Sequence, residues 1–298
     1  MMKFRILFFL FSLVYFFANA QNSSPVSDGS YAPWHSSDPA AEHYCYTLPA
    51  TTVVYSKPNL NSKVISRLPV ATMVRIEQVT IDTMKNSGFS APWCVVSYEQ
   101  YGKTHSGYLW GGDLAFVTFE VNEKSDSIRN GLVYLAGVLK AETEKNMWTL
   151  LVKVARNNTE IAQTEIVTEA EPNYFASLYH YGNLDYDNVV DVLEFKSYFP
   201  SNGYPSSENL LFFTGNALNR VLETSDVSDV NIYDSQDYLL SCDKGGIRNH
   251  VIVANNAFTV EEVEKSNGKT ERVTTRHKFN IELYKWDGKT LIKKDEMN

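Results

Sequence analysis

Apolar residues in this chain recur with the period of two that marks half-buried β-strands, and short polar turns follow them closely. Val53, Val54 and Tyr55 lead into turn material around Pro58; Val64, Ile65 and Leu68 follow, and Met73-Val74-Arg75-Ile76 alternates. A polar insertion spans 82–91, after which 93–98 and 107–114 resume the pattern. Further strand-like runs lie at 132–139, 147–154, 175–181, 189–195, 210–213, 251–254 and 279–286. Asp287-Gly288, just after the last run, is a hairpin signal, because this pair accepts the left-handed backbone of a tight turn. No 3.6-residue apolar stripe is sustained; 142–145 and 260–265 are charged stretches with the length of a single helical turn. The pattern predicts a mostly β fold, a small barrel followed by a larger antiparallel β domain.

The amino-terminal segment breaks this pattern. Lys3 and Arg5 precede a run of about a dozen apolar residues, and Ala18-Asn19-Ala20 follows, the layout of a cleaved secretory signal. The reading is a signal peptide over 1–20, cut before Gln21, and a secreted or periplasmic protein with no membrane span in the mature chain. Residues 21–42, rich in Ser, Pro, Ala and Asp, read as a linker. The expected divisions after it are 43–118, a second linker at 119–131, and a β-rich part over 132–298.

Composition agrees with folded β structure: 44% of the 298 residues are apolar, and there are 18 Tyr, 16 Phe and 5 Trp. The net charge of −8 argues against nucleic acid as a partner. Charge is uneven, with 6 basic against 4 acidic residues over 43–118 and 19 against 28 over 119–298. Export permits disulfides, and three cysteines allow one internal bridge. Cys45 with Cys94 is the candidate pair, with three buried free thiols as the alternative.

The stretch from Tyr55 to Leu114 resembles a bacterial SH3 domain. The matching features are Pro58, Val64-Ile65-Ser66-Arg67-Leu68, Val74-Arg75-Ile76, Trp93 with Val96, Gly102-Lys103-Thr104, and Gly107 through Leu114. Ala71 stands where a turn glycine is usual, Tyr108 replaces a common Trp, and the insertion at 82–91 is long. The resemblance implies a module that attaches to cell-wall peptidoglycan or to a peptide. Aromatic faces can stack on sugars or peptide stems, which makes Tyr55, Trp93, Tyr98, Tyr108 and Trp110 the candidate ligand contacts, against the alternative that such rings fill a small core.

A second motif lies in the larger part. Asn183, Asp185, Asp187 and Asp191 occupy relative positions 1, 3, 5 and 9, a spacing that lets a tight loop wrap Ca²⁺ in oxygen ligands. The segment 181–195 is similar to the calcium loop of FG-GAP and related propeller-type repeats, with Tyr186 and Asn188 at the two glycine positions. The alternative is a solvated acidic turn. One such loop in about 170 residues argues against a complete propeller.

Catalysis finds little support. Cys242 follows a strand-like run and precedes Gly245-Gly246, whereas a thiolate nucleophile needs a helix start or a neighbouring cation. The six histidines lack zinc-site spacing, and Asp185 with Asp187 sit in one turn rather than across a cleft. The expectation is a non-enzymatic, exported binding protein whose SH3-like module holds wall material or a peptide. The alternative is a periplasmic inhibitor or immunity-type protein that binds a protein partner through the acidic β domain.

Overall fold

The structure, a computed structural model, describes residues 43–145, 147–168, 176–197, 206–229, 231–264 and 270–294; the expected signal peptide and first linker lie outside them. The fold is mostly β, built from antiparallel sheets, and no α-helix occurs among the described residues. No described helix is long and apolar enough to cross a membrane.

Three sheets follow one another. The first holds β1 (His43–Tyr46), β2 (Thr51–Tyr55), β3 (Val64–Pro69), β4 (Met73–Asn86), β5 (Phe89–Gln100) and β6 (Lys103–Trp110), in the order β1-β4-β5-β6-β2-β3. The second holds β7 (Val117–Glu120), β8 (Leu132–Glu142), β9 (Met147–Arg156) and β10 (Thr159–Thr168), in the order β10-β9-β8-β7. The third is a meander of β11 (Ala176–His180), β12 (Asp191–Ser197), β13 (Ser206–Phe213), β14 (Leu218–Ser228), β15 (Ile232–Leu239), β16 (His250–Glu264), β17 (Thr270–Trp286) and β18 (Leu291–Lys294). The hairpin expected at Asp287-Gly288 joins β17 to β18; Gly288 has φ +100°, and the Asp287 carboxylate accepts the N–H groups of Lys289 and Thr290. Residues 260–264 lie within β16, so the charged stretch at 260–265 is strand as far as it is described. A 3-10 turn occupies Thr143–Lys145.

The continuous apolar run at 132–139 is a strand buried on both faces. Leu132, Tyr134, Ala136 and Val138 join one core cluster, while Val133 and Leu135 join another. The same alternation splits β12 and β13: Leu193, Phe195, Leu211 and Phe213 point to one core, Val192, Leu210 and Phe212 to a second. A strand in the middle of stacked layers needs apolar residues at every position rather than every other one.

The 82–91 segment departs from the expected polar insertion. It is the far end of the β4–β5 hairpin, and its turn at Ser87-Gly88 docks on the second sheet. The Ala141 amide donates to the Ser87 carbonyl at 2.8 Å, and Phe89 and Ala91 are buried against Trp110 and Trp148. Gly88, at φ +88°, leaves no room for a side chain: a Cβ there would lie 1.8 Å from the Ala141 carbonyl oxygen. The largest core thus draws on all three sheets, from Phe89 to Leu218. A smaller cluster of Cys45, Val54, Leu68, Val74, Val96 and Leu109, among others, fills the interior of the first sheet.

The third sheet curls into a half-barrel. Tyr186, Val192 and Phe212 share a core with Val253 and Trp286, residues from opposite ends of the strand order. Glu194 on β12 fastens the curl from inside: it accepts the hydroxyls of Tyr181 and Tyr238 and lies 3.1 Å from the Lys196 ammonium.

Candidate functional site

Strand alternation on β1, β4 and β5 turns Cys45 and Val74 into the small core and leaves Tyr44, Tyr46, Met73 and Arg75 on the opposite face. Tyr44 lies directly across from Arg75, which lies across from Ser97; Tyr46 lies across from Met73. Beside this face stand Glu120 of β7, Val133 of β8 and the Asn157-Asn158 turn between β9 and β10, and the space enclosed is a groove of about 670 Å³.

The walls of the groove are held by bonds between the sheets. The Tyr46 hydroxyl donates to Glu120 at 3.0 Å, and burial together with this carboxylate pushes the phenol up to about 12. The Asn158 amide donates to the Ala71 carbonyl at 2.9 Å. Asn157 and Asn158 both take left-handed backbone, at φ 50° and 59°, as a two-residue hairpin turn requires. Ala71 also takes it, at φ 55°.

Tyr98 borders the groove from the core side: its ring packs in the small core with Cys45 and Val74 and stacks on His105, it is 3% exposed, and its hydroxyl has no hydrogen-bond partner among the described residues. A buried phenol without a partner forfeits the solvation it had in water, a cost of about 1–3 kcal/mol. Tyr44 and Met73, 55% and 51% exposed, supply apolar surface at the mouth. The groove therefore offers rings, a guanidinium, carboxylates and side-chain amides in one preformed cleft.

The expected aromatic contacts are placed otherwise. Trp93 and Trp110 are buried in the large core, and the Trp110 indole N–H donates to the carbonyls of Met84 and Ala91. Tyr55 meets Trp93 edge-on, and Tyr55 and Tyr108, paired across β2 and β6, are partly buried against the same core. The five rings thus do not form one exposed face, because a sheet this small uses most of its large side chains to fill its interior. Of the five, Tyr98 alone borders the groove, and its ring belongs to the small core. The alternation of Tyr44, Cys45 and Tyr46 was the available signal for the groove face; the contribution of Glu120 and Asn158 depends on a sheet docking that no local pattern encodes.

Neither family model, curated protein nor solved structure matches the chain.

The expected calcium ligands are not brought together. Asp191 is fully buried: one oxygen accepts the Gly182 amide at 2.7 Å, the other the Tyr134 hydroxyl at 2.6 Å, with His180 at 3.3 Å and Arg129 at 3.8 Å. Asp187 faces outward, where Asn249 and Arg248 hold its carboxyl below the ordinary carboxylate value. The Asn183 side chain accepts the Asp185 amide. Tyr186 has no left-handed backbone; it is a core residue whose hydroxyl donates to the His250 carbonyl and accepts the Ser241 amide. Leu184, Asp185 and Asn188 make the turn instead. Among the described residues no group of three or more His, Cys, Asp and Glu side chains is arranged to hold a metal ion.

Cys45 and Cys94 are two free, buried thiols in the small core, and burial pushes Cys94 up to about 12 and Cys45 higher still. Cys242 is exposed, and desolvation followed by the nearby Asp243 raises its thiol above the ordinary value, the reverse of what activates a nucleophile.

Proposed function

We propose that this is an exported, non-catalytic binding protein that holds a short peptide, such as the peptide stem of cell-wall material, in the groove between the first and second sheets. The observation that carries the reading is the groove itself, a preformed cleft of about 670 Å³ whose mouth exposes Tyr44 and Met73 beside Arg75 and Glu120. Tyr44 and Met73 offer contact to peptide side chains, and Arg75 and Glu120 lie where a carboxylate and an amine can be told apart. The resemblance of 55–114 to a bacterial SH3 domain and the signal-like amino terminus support the same reading.

The test is co-sedimentation of the mature chain with purified peptidoglycan, and calorimetry with soluble stem peptides and with glycan strands stripped of peptide. Binding to wall and stem peptide, weakened by Tyr44→Ala and Arg75→Ala, supports the proposal. Binding to the stripped glycan alone, or to none of the three, overturns it.

A second reading, an inhibitor- or immunity-type protein, has one observation in its favour. The convex face of β15–β17 carries Leu239, Ile252 and Leu283 in one row, beside Ile281 and Phe279, which are 43% and 40% exposed. A photo-crosslinker at Phe279 that traps a protein in cells, with one at Tyr44 trapping none of the wall, would decide for this reading.

A further inference from the structure

The concave face of the half-barrel changes character along its strands. Near the base it is apolar, with Val253, Leu240 and Trp286 in the core. Beyond that point β15, β16 and β17 continue in strict register, and the face becomes polar. Gln236 lies across from Asn255, and Asn255 from Asn280, so three side-chain amides stand in one row over three adjacent strands. In the next two rows the middle strand carries only Ala257 and then Thr259, while the outer strands carry Asp234 with Lys278 and Ile232 with Arg276. Small residues between larger ones make a trough, about 480 Å³, that runs along β16.

The amides are fixed before any ligand arrives. Gln236 accepts the Ser225 amide at 3.1 Å and donates to the Asn255 carbonyl oxygen at 2.7 Å, which leaves the Asn255 NH₂ facing the trough with donors to spare. Asn280 donates to Glu282 at 3.3 Å, which leaves its carbonyl oxygen as an acceptor. Glu282 is itself engaged by the Lys293 ammonium and the Tyr284 hydroxyl, so it seeks no cation from outside. One acid and one base, Asp234 and Lys278, face each other across Ala257 at the same level.

We infer that this trough binds a short, neutral oligosaccharide. A sugar hydroxyl is donor and acceptor at once, and a row of oriented amides answers both functions at a spacing set by the roughly 4.8 Å between strands. The lining carries two acids, Asp234 and Glu282, and two bases, Lys278 and Arg276, which add acceptors and donors without a net charge to select an ion. An apolar peptide finds no side-chain pocket in a floor of Asn255, Ala257 and Thr259. The site is separate from the groove at Tyr44 and does not depend on it.

The experiment is an NMR titration of the mature chain with cellobiose, maltose and N,N′-diacetylchitobiose at millimolar concentrations, following the side-chain amide signals of Gln236, Asn255 and Asn280. Ala257→Trp fills the trough floor from a half-exposed position, and Asn280→Leu removes one amide without adding bulk; thermal melts establish that each variant folds. Saturable shifts with at least one sugar, weakened at least about tenfold in a folded variant, are expected. No shift with any of the three sugars, or shifts that both folded variants leave unchanged, would overturn the inference.

Discussion

The hydroxyl of Tyr134 on β8 donates to the carboxylate of Asp191 on β12 at 2.6 Å, joining the second sheet to the third through a pair buried on both sides. Burial and the neighbouring carboxylate both drive the phenol far above its ordinary value, so it stays a donor at every pH the fold survives. Asp191→Ala is expected to cost about 3 kcal/mol, because it strands the Gly182 amide and the Tyr134 hydroxyl without partners. Tyr134→Phe should cost less, about 1–2 kcal/mol. Urea unfolding of the two variants measures the difference; equal losses would mean that Asp191 is held by other groups.

The same geometry bears on calcium. With Asp191 spent inward and Asp187 on Arg248 and Asn249, the loop presents too few oxygens for a six-to-eight ligand shell. The expected result is one melting temperature in Ca²⁺ and in EDTA. A rise of several degrees with Ca²⁺, lost in Asp185→Ala, would show that the loop rearranges around the ion.

Glu208 should make stability decline as pH rises from 4.5 to about 7. Burial raises Glu208 from 4.5 to about 7, Lys196 opposes the shift and Glu194 adds to it. A carboxyl with a raised native value holds its proton more tightly folded than unfolded, so its contribution is complete below about 4.5 and lost by the time pH passes about 7. Glu208→Gln should flatten this part of the profile. Denaturation midpoints at several values across that window test it, and an unchanged slope in the variant would assign the effect elsewhere.

How much of this was legible beforehand depended on the range of each interaction. The strands at 132–139 and 147–154 and the turn at Asp287-Gly288 are written in contiguous residues. The strands β10 and β14 mix polar with apolar positions, and their alternation is too weak to stand out without the neighbours that bury one face. The loop at 183–191 has the composition of a metal site, but the direction of Asp191 is decided by Tyr134, 57 positions earlier. Likewise no local signal tells that Trp110 faces a core while Tyr44 faces a groove, because both lie in alternating strands and only the docking of the second sheet separates them.

Thiol accessibility follows from burial. Cys242 should react with a maleimide in the native protein, and Cys45 and Cys94 only after unfolding. Mass spectrometry should therefore count one label native and three unfolded under non-reducing conditions. One label in both states would establish a Cys45–Cys94 bond in the protein.

Gly88→Ala tests the docking of the hairpin arm. The added methyl meets the Ala141 carbonyl and the backbone is already left-handed, so a loss of at least about 2 kcal/mol is expected in chemical unfolding. Gly102→Ala, where a Cβ meets nothing within 4 Å, bears only the backbone cost at φ +69° and should be the milder change.

Because Phe89, Trp148 and Leu211 share one core, a chain emerging amino end first cannot complete the packing of its first sheet until β13 has appeared, more than a hundred residues later. The seat of the β4–β5 arm is thereby tied to residues far downstream, while the small core of the first sheet, drawn from Cys45 to Leu114, needs none of them.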